Sequence, residues 1–265
     1  MKTTLKTTIA LLVILTYLFI ANIPTCKASF KKNQPQVGVK TTGPSVIGEV
    51  TSKGIVSSSM PINVTGSSFE AEASLEANDL EDALKRIVGI VPRFNVGAIG
   101  ISLIETGAIE SRASNARGLD SIRVTALSTA QNVNILNGLI TATKIVAGSV
   151  AESAGETVAN VAEGTTIEDL VIAGQRIDFP SVPNTVIPLN NVRLDVLGVG
   201  TLKINGKVTL NCQKLTLHGP TSSQLEVTPI VVDAQIDVKG LLSVQSVKAS
   251  VCVSGPAATT SIDLQ

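Results

Sequence analysis

The dipeptide Asn137-Gly138, set between two apolar alternations in the stretch 120–151, constrains this chain more than any other feature. Both residues tolerate φ > 0, so a two-residue hairpin turn is the expected local structure. Such a turn sets Leu136 opposite Leu139, Ile135 opposite Ile140, Asn134 opposite Thr141, Val133 opposite Ala142 and Asn132 opposite Thr143. One face then reads Val133, Ile135, Ile140 and Ala142, and the other Asn132, Asn134, Thr141 and Thr143. An apolar face backed by a polar one is what a half-buried sheet requires.

Around this hairpin the rest of the chain reads mostly as β-structure. Residues 48–56 and 61–64 are expected as short strands, and 94–114 as a longer β region. A second small hairpin is expected about Ala173-Gly174 within 166–177, while Pro180, Pro183 and Pro188 mark 178–188 as turn or edge. Residues 192–217 form the longest β run, and Asn205-Gly206 is read as a three-residue turn within it that sets Leu202 opposite Val208. From Ile230 to Val238 the alternation places Ile230, Val232, Ala234, Ile236 and Val238 inward, with Asp233, Gln235 and Asp237 outward. Residues 241–253 complete the sheet.

One helix is expected, over 79–88. Asn78 is its N-cap, Asp79, Glu81 and Asp82 sit where the helix dipole favours negative charge, and Leu80, Ala83, Leu84, Ile87 and Val88 form the apolar stripe. Gly89 and Pro92 end it. The fold class that follows is mainly β, with long antiparallel strands in one or two packed sheets and one short amphipathic helix. A β-solenoid is the alternative.

Lys2 and Lys6, the uncharged run 7–23 and the ending Cys26-Lys27-Ala28 have the layout of a secretory signal peptide cleaved after Ala28. The domain organisation expected is therefore a signal at 1–28, a flexible lead at 29–47, a β-rich domain at 48–254 and a polar tail at 255–265 without an anchor. Loss of Lys2, Lys6 and Lys27 leaves 18 basic against 21 acidic residues, a balance that draws neither nucleic acid nor an anionic membrane surface. No membrane span is expected in the mature chain.

Three motifs carry a family resemblance: Val133 to Val146, then Gly164-Thr165-Thr166 through Leu170, Ile172, Gly174 and Ile177, then Pro183-Asn184-Thr185. Over 48–217 their order and spacing resemble the secreted bacterial proteins called choice-of-anchor P. The resemblance implies an exported envelope protein and no particular reaction.

The chemistry-bearing residues are few. Cys26 leaves with the signal, so Cys212 and Cys252 remain as an even pair in an oxidising compartment and are expected to form a disulfide, worth about 3 to 4 kcal/mol by the chain-entropy model. It would make the strand 208–217 a neighbour of the strand 241–253 in one sheet, or set the two facing each other across the core. His218 is the one histidine, beside Gly219-Pro220, and reads as a turn residue. A zinc site has too few His and Cys ligands. Asp233 with Asp237, and Glu168 with Asp169, are carboxylate pairs open to calcium, with solvated charge the simpler reading. Carbohydrate stacking is poorly served by a mature chain without Trp or Tyr. No catalytic, cofactor-binding or metal residue is assigned. The expected function is a secreted, non-catalytic structural or interaction protein of the bacterial cell envelope, with an envelope or extracellular protein or polysaccharide as partner. The alternatives are a carboxylate-dependent extracellular enzyme on polysaccharide or peptide, and a module binding an apolar ligand.

Overall fold

The computed structural model describes residues 37–42, 45–53, 64–65, 70–75, 82–88, 93–96, 99–117, 121–154, 157–197, 200–240 and 246–264. The expected signal peptide lies outside them. In chain order the strands are β1 (Val37–Thr42), β2 (Ser45–Lys53), β3 (Val64–Thr65), β4 (Glu70–Leu75), β5 (Asp82–Val88), β6 (Arg93–Val96) and β7 (Ile99–Ser102). Next come β8 (Ile104–Glu105), β9 (Ala108–Arg117), β10 (Ser121–Ile135), β11 (Ile140–Ala154), β12 (Thr157–Val161), β13 (Thr166–Glu168), β14 (Val171–Ile172) and β15 (Gln175–Arg176). The chain closes with β16 (Thr185–Val196), β17 (Gly200–Leu217), β18 (Ser222–Gly240), β19 (Ser246–Ser254) and β20 (Ala257–Asp263).

Every pairing among these strands is antiparallel, the arrangement of sheets rather than of stacked parallel coils. An 8-stranded sheet runs β16-β17-β18-β20-β1-β4, with β19 also on β18 and β2 on β19; a 9-stranded sheet is built on β10 and β11; β3, β6 and β7 form a third. The Asn137-Gly138 hairpin lies at the centre of the second sheet. Asn137 and Gly138 have φ of 54° and 92°, the sign pattern of a type I′ turn, and Leu139 N–H donates to the Leu136 carbonyl at 3.2 Å. Ile135 pairs with Ile140, Asn134 with Thr141 and Val133 with Ala142, and the four apolar members are buried as the alternation demands. A second turn of the same hand at Ala173-Gly174 joins β14 to β15.

β18 changes phase part-way along. Ser223, Leu225 and Val227 are buried before Pro229, and Ile230, Val232, Ala234, Ile236 and Val238 after it, while the pairing register with β17 stays constant. The neighbours switch at the same level: Val251 and Val253 of β19 are buried before Gly255-Pro256, and Ala258, Thr260 and Ile262 of β20 after it. Proline offers no N–H to the ladder, and Asn211, across from Pro229, takes a left-handed φ of 52°. In the other sheet β10 switches from Val124, Ala126, Ser128 and Ala130 to Val133 and Ile135 at Asn132, φ 49°. Single strands thereby feed two cores. The larger is Ile, Leu and Val from β10, β11, β17, β18 and β19. A smaller one holds Ala113, Val124, Ala126, Ala147, Ala151, Ala258 and Ile262. Its alanines let β11 and β20 bring Cα atoms within 8 Å, inside the roughly 10 Å usual between packed sheets.

Four expectations are corrected. Residues 82–88 of the expected helix form β5, paired with β9 from Asp82↔Ser114 to Val88↔Ala108. A ten-residue helix is marginal on its own, and the edge of β9 offers those residues a full hydrogen-bonded ladder instead. Within the expected lead and tail, β1 and β20 pair with each other and with β4 and β18. Asn205-Gly206 is no turn: β17 runs straight through it, paired with β18 as Asn205↔Gln235 and Gly206↔Ala234. Finally, no bridge joins Cys212 to Cys252. Cys212 lies opposite Thr228 and Cys252 opposite Asp233, on the two sides of β18 and five residues apart along it. Two strand spacings of about 4.8 Å and that offset at about 3.4 Å per residue exceed the roughly 7 Å that a disulfide spans between Cα atoms.

Candidate functional site

Where β16 stops short of the end of β17, the fold leaves a cleft beside an open strand edge. The cleft, of about 330 Å³, is lined by Ala162 and Thr165 between β12 and β13, Phe179, Pro180 and Ser181 ahead of β16, and Asn211 and Gln213 on β17. Asn211 organises it. Asparagine tolerates the left-handed backbone better than most residues, and here its side chain is 5% exposed. Nδ2 donates to the carbonyls of Pro180 and Ser181 at 3.2 and 3.4 Å, and Oδ1 accepts from Gln213 Nε2 at 2.8 Å. The opposite wall is held by Thr165, whose Oγ1 accepts from Gly148 N–H at 3.1 Å and donates to the Gly148 carbonyl at 2.9 Å. Arg123 ties the same loop to β10, bonding Glu152 and, at 2.7 Å, Glu163. The bond to Glu152 first of all raises its pKa above the ordinary arginine value; burial opposes this, and the bond to Glu163 and the charges of both carboxylates add to the rise.

Asn184 closes the ladder. Its backbone N–H donates to the Asn211 carbonyl at 2.9 Å. Its side-chain amide then accepts from Gln213 N–H at 3.1 Å and donates to the Gln213 carbonyl at 3.3 Å, as a strand residue would. Beyond this point no described strand pairs with β17 on the side away from β18. Leu215 and Leu217 stand 54% and 66% exposed there, and Val161 and Val182, 52% and 65% exposed, are chain neighbours of the cleft residues Ala162 and Ser181. The cleft thus mixes polar Thr165, Ser181, Asn211 and Gln213 with apolar Ala162, Phe179 and Pro180, and exposed apolar residues stand next to its lining in the chain. The seven lining residues offer hydrogen bonds and apolar contact.

The residues singled out by sequence lie elsewhere. His218 is exposed in the turn from β17 to β18, its N–H bonded to the Ser222 carbonyl at 2.9 Å. Asp233 faces Lys207 at 3.7 Å, Glu168 faces Lys144 at 3.5 Å, and Asp169 takes Arg176 at 2.7 Å and Thr143 at 3.0 Å. The structure brings neither carboxylate pair into a cluster able to hold a metal ion among the described residues. Asn211, Gln213 and Phe179 escaped sequence reasoning. Asn211 falls at the polar phase of the alternation, after Lys203, Asn205, Lys207 and Thr209, so nothing in the sequence set it apart. Two of the three resemblance motifs do converge on the cleft, through Thr165 and Asn184.

No protein-family model, curated protein or solved structure matches the chain. Among the described residues no helix is long and apolar enough to cross a membrane.

Proposed function

We propose that this is a secreted structural or interaction protein of the bacterial cell envelope that acts by binding rather than by catalysis. The observation that carries the reading is the set of exposed apolar side chains Val161, Val182, Leu215 and Leu217, on segments that line the cleft or run on from it, together with a cleft lining that does not ionise, on an all-β scaffold. Exposed apolar clusters with polar groups among them are typical of docking surfaces. The signal-like N-terminus and the motif resemblance to choice-of-anchor P proteins support export and the envelope as the place of action.

The test is fractionation of a bacterial culture expressing the full chain with a C-terminal tag, with N-terminal sequencing of the recovered protein. The reading expects the chain in the envelope or medium, starting at Ser29, and cosedimenting with isolated envelopes. An intact Met1 chain in the cytoplasmic fraction would overturn it.

A further inference from the structure

We infer that the edge of β17 at Leu215 and Leu217 takes up an extended peptide segment of a partner protein as an added strand, with apolar residues at alternate positions and an acidic residue between them. The inference rests on the interaction reading above and names the kind of partner.

The backbone sets the occupant. Gln213 turns its N–H and C=O away from β18, toward Asn184. By the two-residue period of a strand, Leu215 and Leu217 point theirs the same way. The phase is confirmed at the other end, where His218 N–H points back to the Ser222 carbonyl of β18. A rung at Gln213 is thus filled by a side chain of the protein itself, and the next two are unfilled by any described strand. Two successive rungs of outward donors and acceptors match an extended backbone and nothing smaller.

The side chains set the sequence. Leu215 pairs across with Leu225, 4% exposed, and so extends a buried apolar row outward to the edge. An added strand would continue that row with its own apolar residues. Lys214, on the opposite face, stands across from Glu226 of β18 without an ion-pair contact, and an acidic residue on the incoming strand would flank it on the side away from Glu226. Edge lysines also oppose indiscriminate pairing. Two copies joined here would place two Lys214 side chains on one short ladder, which disfavours the protein itself as occupant. The neighbouring edge is guarded differently: β16 carries Pro188 and a register shift between Leu189 and Val192. Between 212 and 217 β17 has neither.

The experiment uses the full chain as secreted and a short labelled peptide of alternating valine and glutamate, followed by fluorescence anisotropy, with hydrogen exchange over 212–218. A block-scrambled peptide of the same composition and an alternating valine and lysine peptide are the comparisons. Expected are binding of the first peptide alone, slowed exchange at Leu215 and Leu217 on binding, and an affinity loss of about tenfold or more in Leu215→Pro, which removes an outward donor and leaves the ladder to β18. Leu197→Asp, at the far turn of the β16–β17 pair, should bind as the unaltered protein does. Should Leu215→Pro fail to fold, Lys214→Glu replaces it and should reverse the preference between the glutamate and lysine peptides. Equal binding of the scrambled peptide, unchanged affinity in Leu215→Pro, or a reversal absent in Lys214→Glu would overturn the inference. So would slow exchange at both Leu215 and Leu217 in the unliganded monomer, which would mean the chain covers its own edge, or a dimer that Leu215→Pro dissociates. Any of these with the chain still in the envelope fraction removes this inference and leaves the proposed function standing.

Discussion

A Cβ placed on Gly206 would stand 2.0 Å from the carbonyl oxygen of Asp233 and 2.8 Å from Ala234 Cα, so β17 and β18 lie in a contact that only glycine permits. Both obstacles are backbone, and neither can swing aside. Gly206→Ala is expected to cost at least about 3 kcal/mol, at the upper end for single substitutions, read as a fall in the urea midpoint. Gly138→Ala is the comparison. At φ 92° with nothing within 4 Å of the new Cβ, it bears only the backbone penalty of roughly 1 kcal/mol. A Gly138→Ala protein less stable than Gly206→Ala would contradict this ordering.

The same glycine shows where the sequence misleads. Asn-Gly reads as a turn at 137–138 and at 205–206, yet only the first is one. Around Asn137-Gly138 a two-residue loop keeps the apolar residues on one face; around Asn205-Gly206 it breaks the pattern, while Leu202, Ile204, Val208 and Leu210 keep one unbroken phase straight through Gly206. That phase was the legible signal of a continuous strand. The alternation of Ile230 to Val238 was equally plain because both neighbours of β18 press on it. Residues 82–88 were not, because their helical spacing is a local property and the ladder they join is set by β9, later in the chain. The β20 strand was missed for a related reason: Ala, Ser and Asp carry little β signal, and Ala258 and Thr260 are buried because two sheets approach closely there. The cleft could not be read at all, since Thr165, Phe179 and Asn211 meet only through the packing of separate strands.

Cys212 and Cys252 are each half-buried and separated by β18. Mass mapping of the purified protein, alkylated under denaturing conditions without reductant, is expected to find both as alkylated thiols and no peptide linking the two. A Cys212–Cys252 crosslink would require β17 and β19 to be adjacent, against the observed strand order.

Arg123 bonds Glu152 and Glu163 with its side chain 43% exposed and theirs 50% and 56%. Solvent at that exposure screens the attraction, so Arg123→Ala should lower stability by less than about 1 kcal/mol, and by less still in high salt. The raised pKa of Arg123 lies above the range in which stability is ordinarily measured, so its charge contributes no pH dependence from neutrality to mild alkali. Because Glu163 belongs to the loop at the cleft wall, local hydrogen exchange at 162–165 should quicken in this variant even where the global midpoint barely moves.

The most revealing pair crosses between the sheets. Ser149 Oγ and Thr260 Oγ1 lie 2.7 Å apart, both fully buried, and Ser149 Oγ is also 3.2 Å from the Leu225 carbonyl. The carbonyl can only accept, so the single hydroxyl proton of Ser149 goes to Leu225 and the proton of Thr260 goes to Ser149. The two substitutions are therefore unequal. Thr260→Val leaves Ser149 its bond to Leu225 and removes one donor of similar shape, an expected cost of about 1 kcal/mol, whereas Ser149→Ala strands the Thr260 hydroxyl in an apolar core and should cost about 2 kcal/mol. With both changed, no buried hydroxyl is left unpaired, so the double variant should be less destabilised than the two single losses added, by about 1 kcal/mol in a double-mutant cycle. Strict additivity, or a Thr260→Val loss larger than that of Ser149→Ala, would mean that the proton runs the other way or that the two sheets do not meet at this pair.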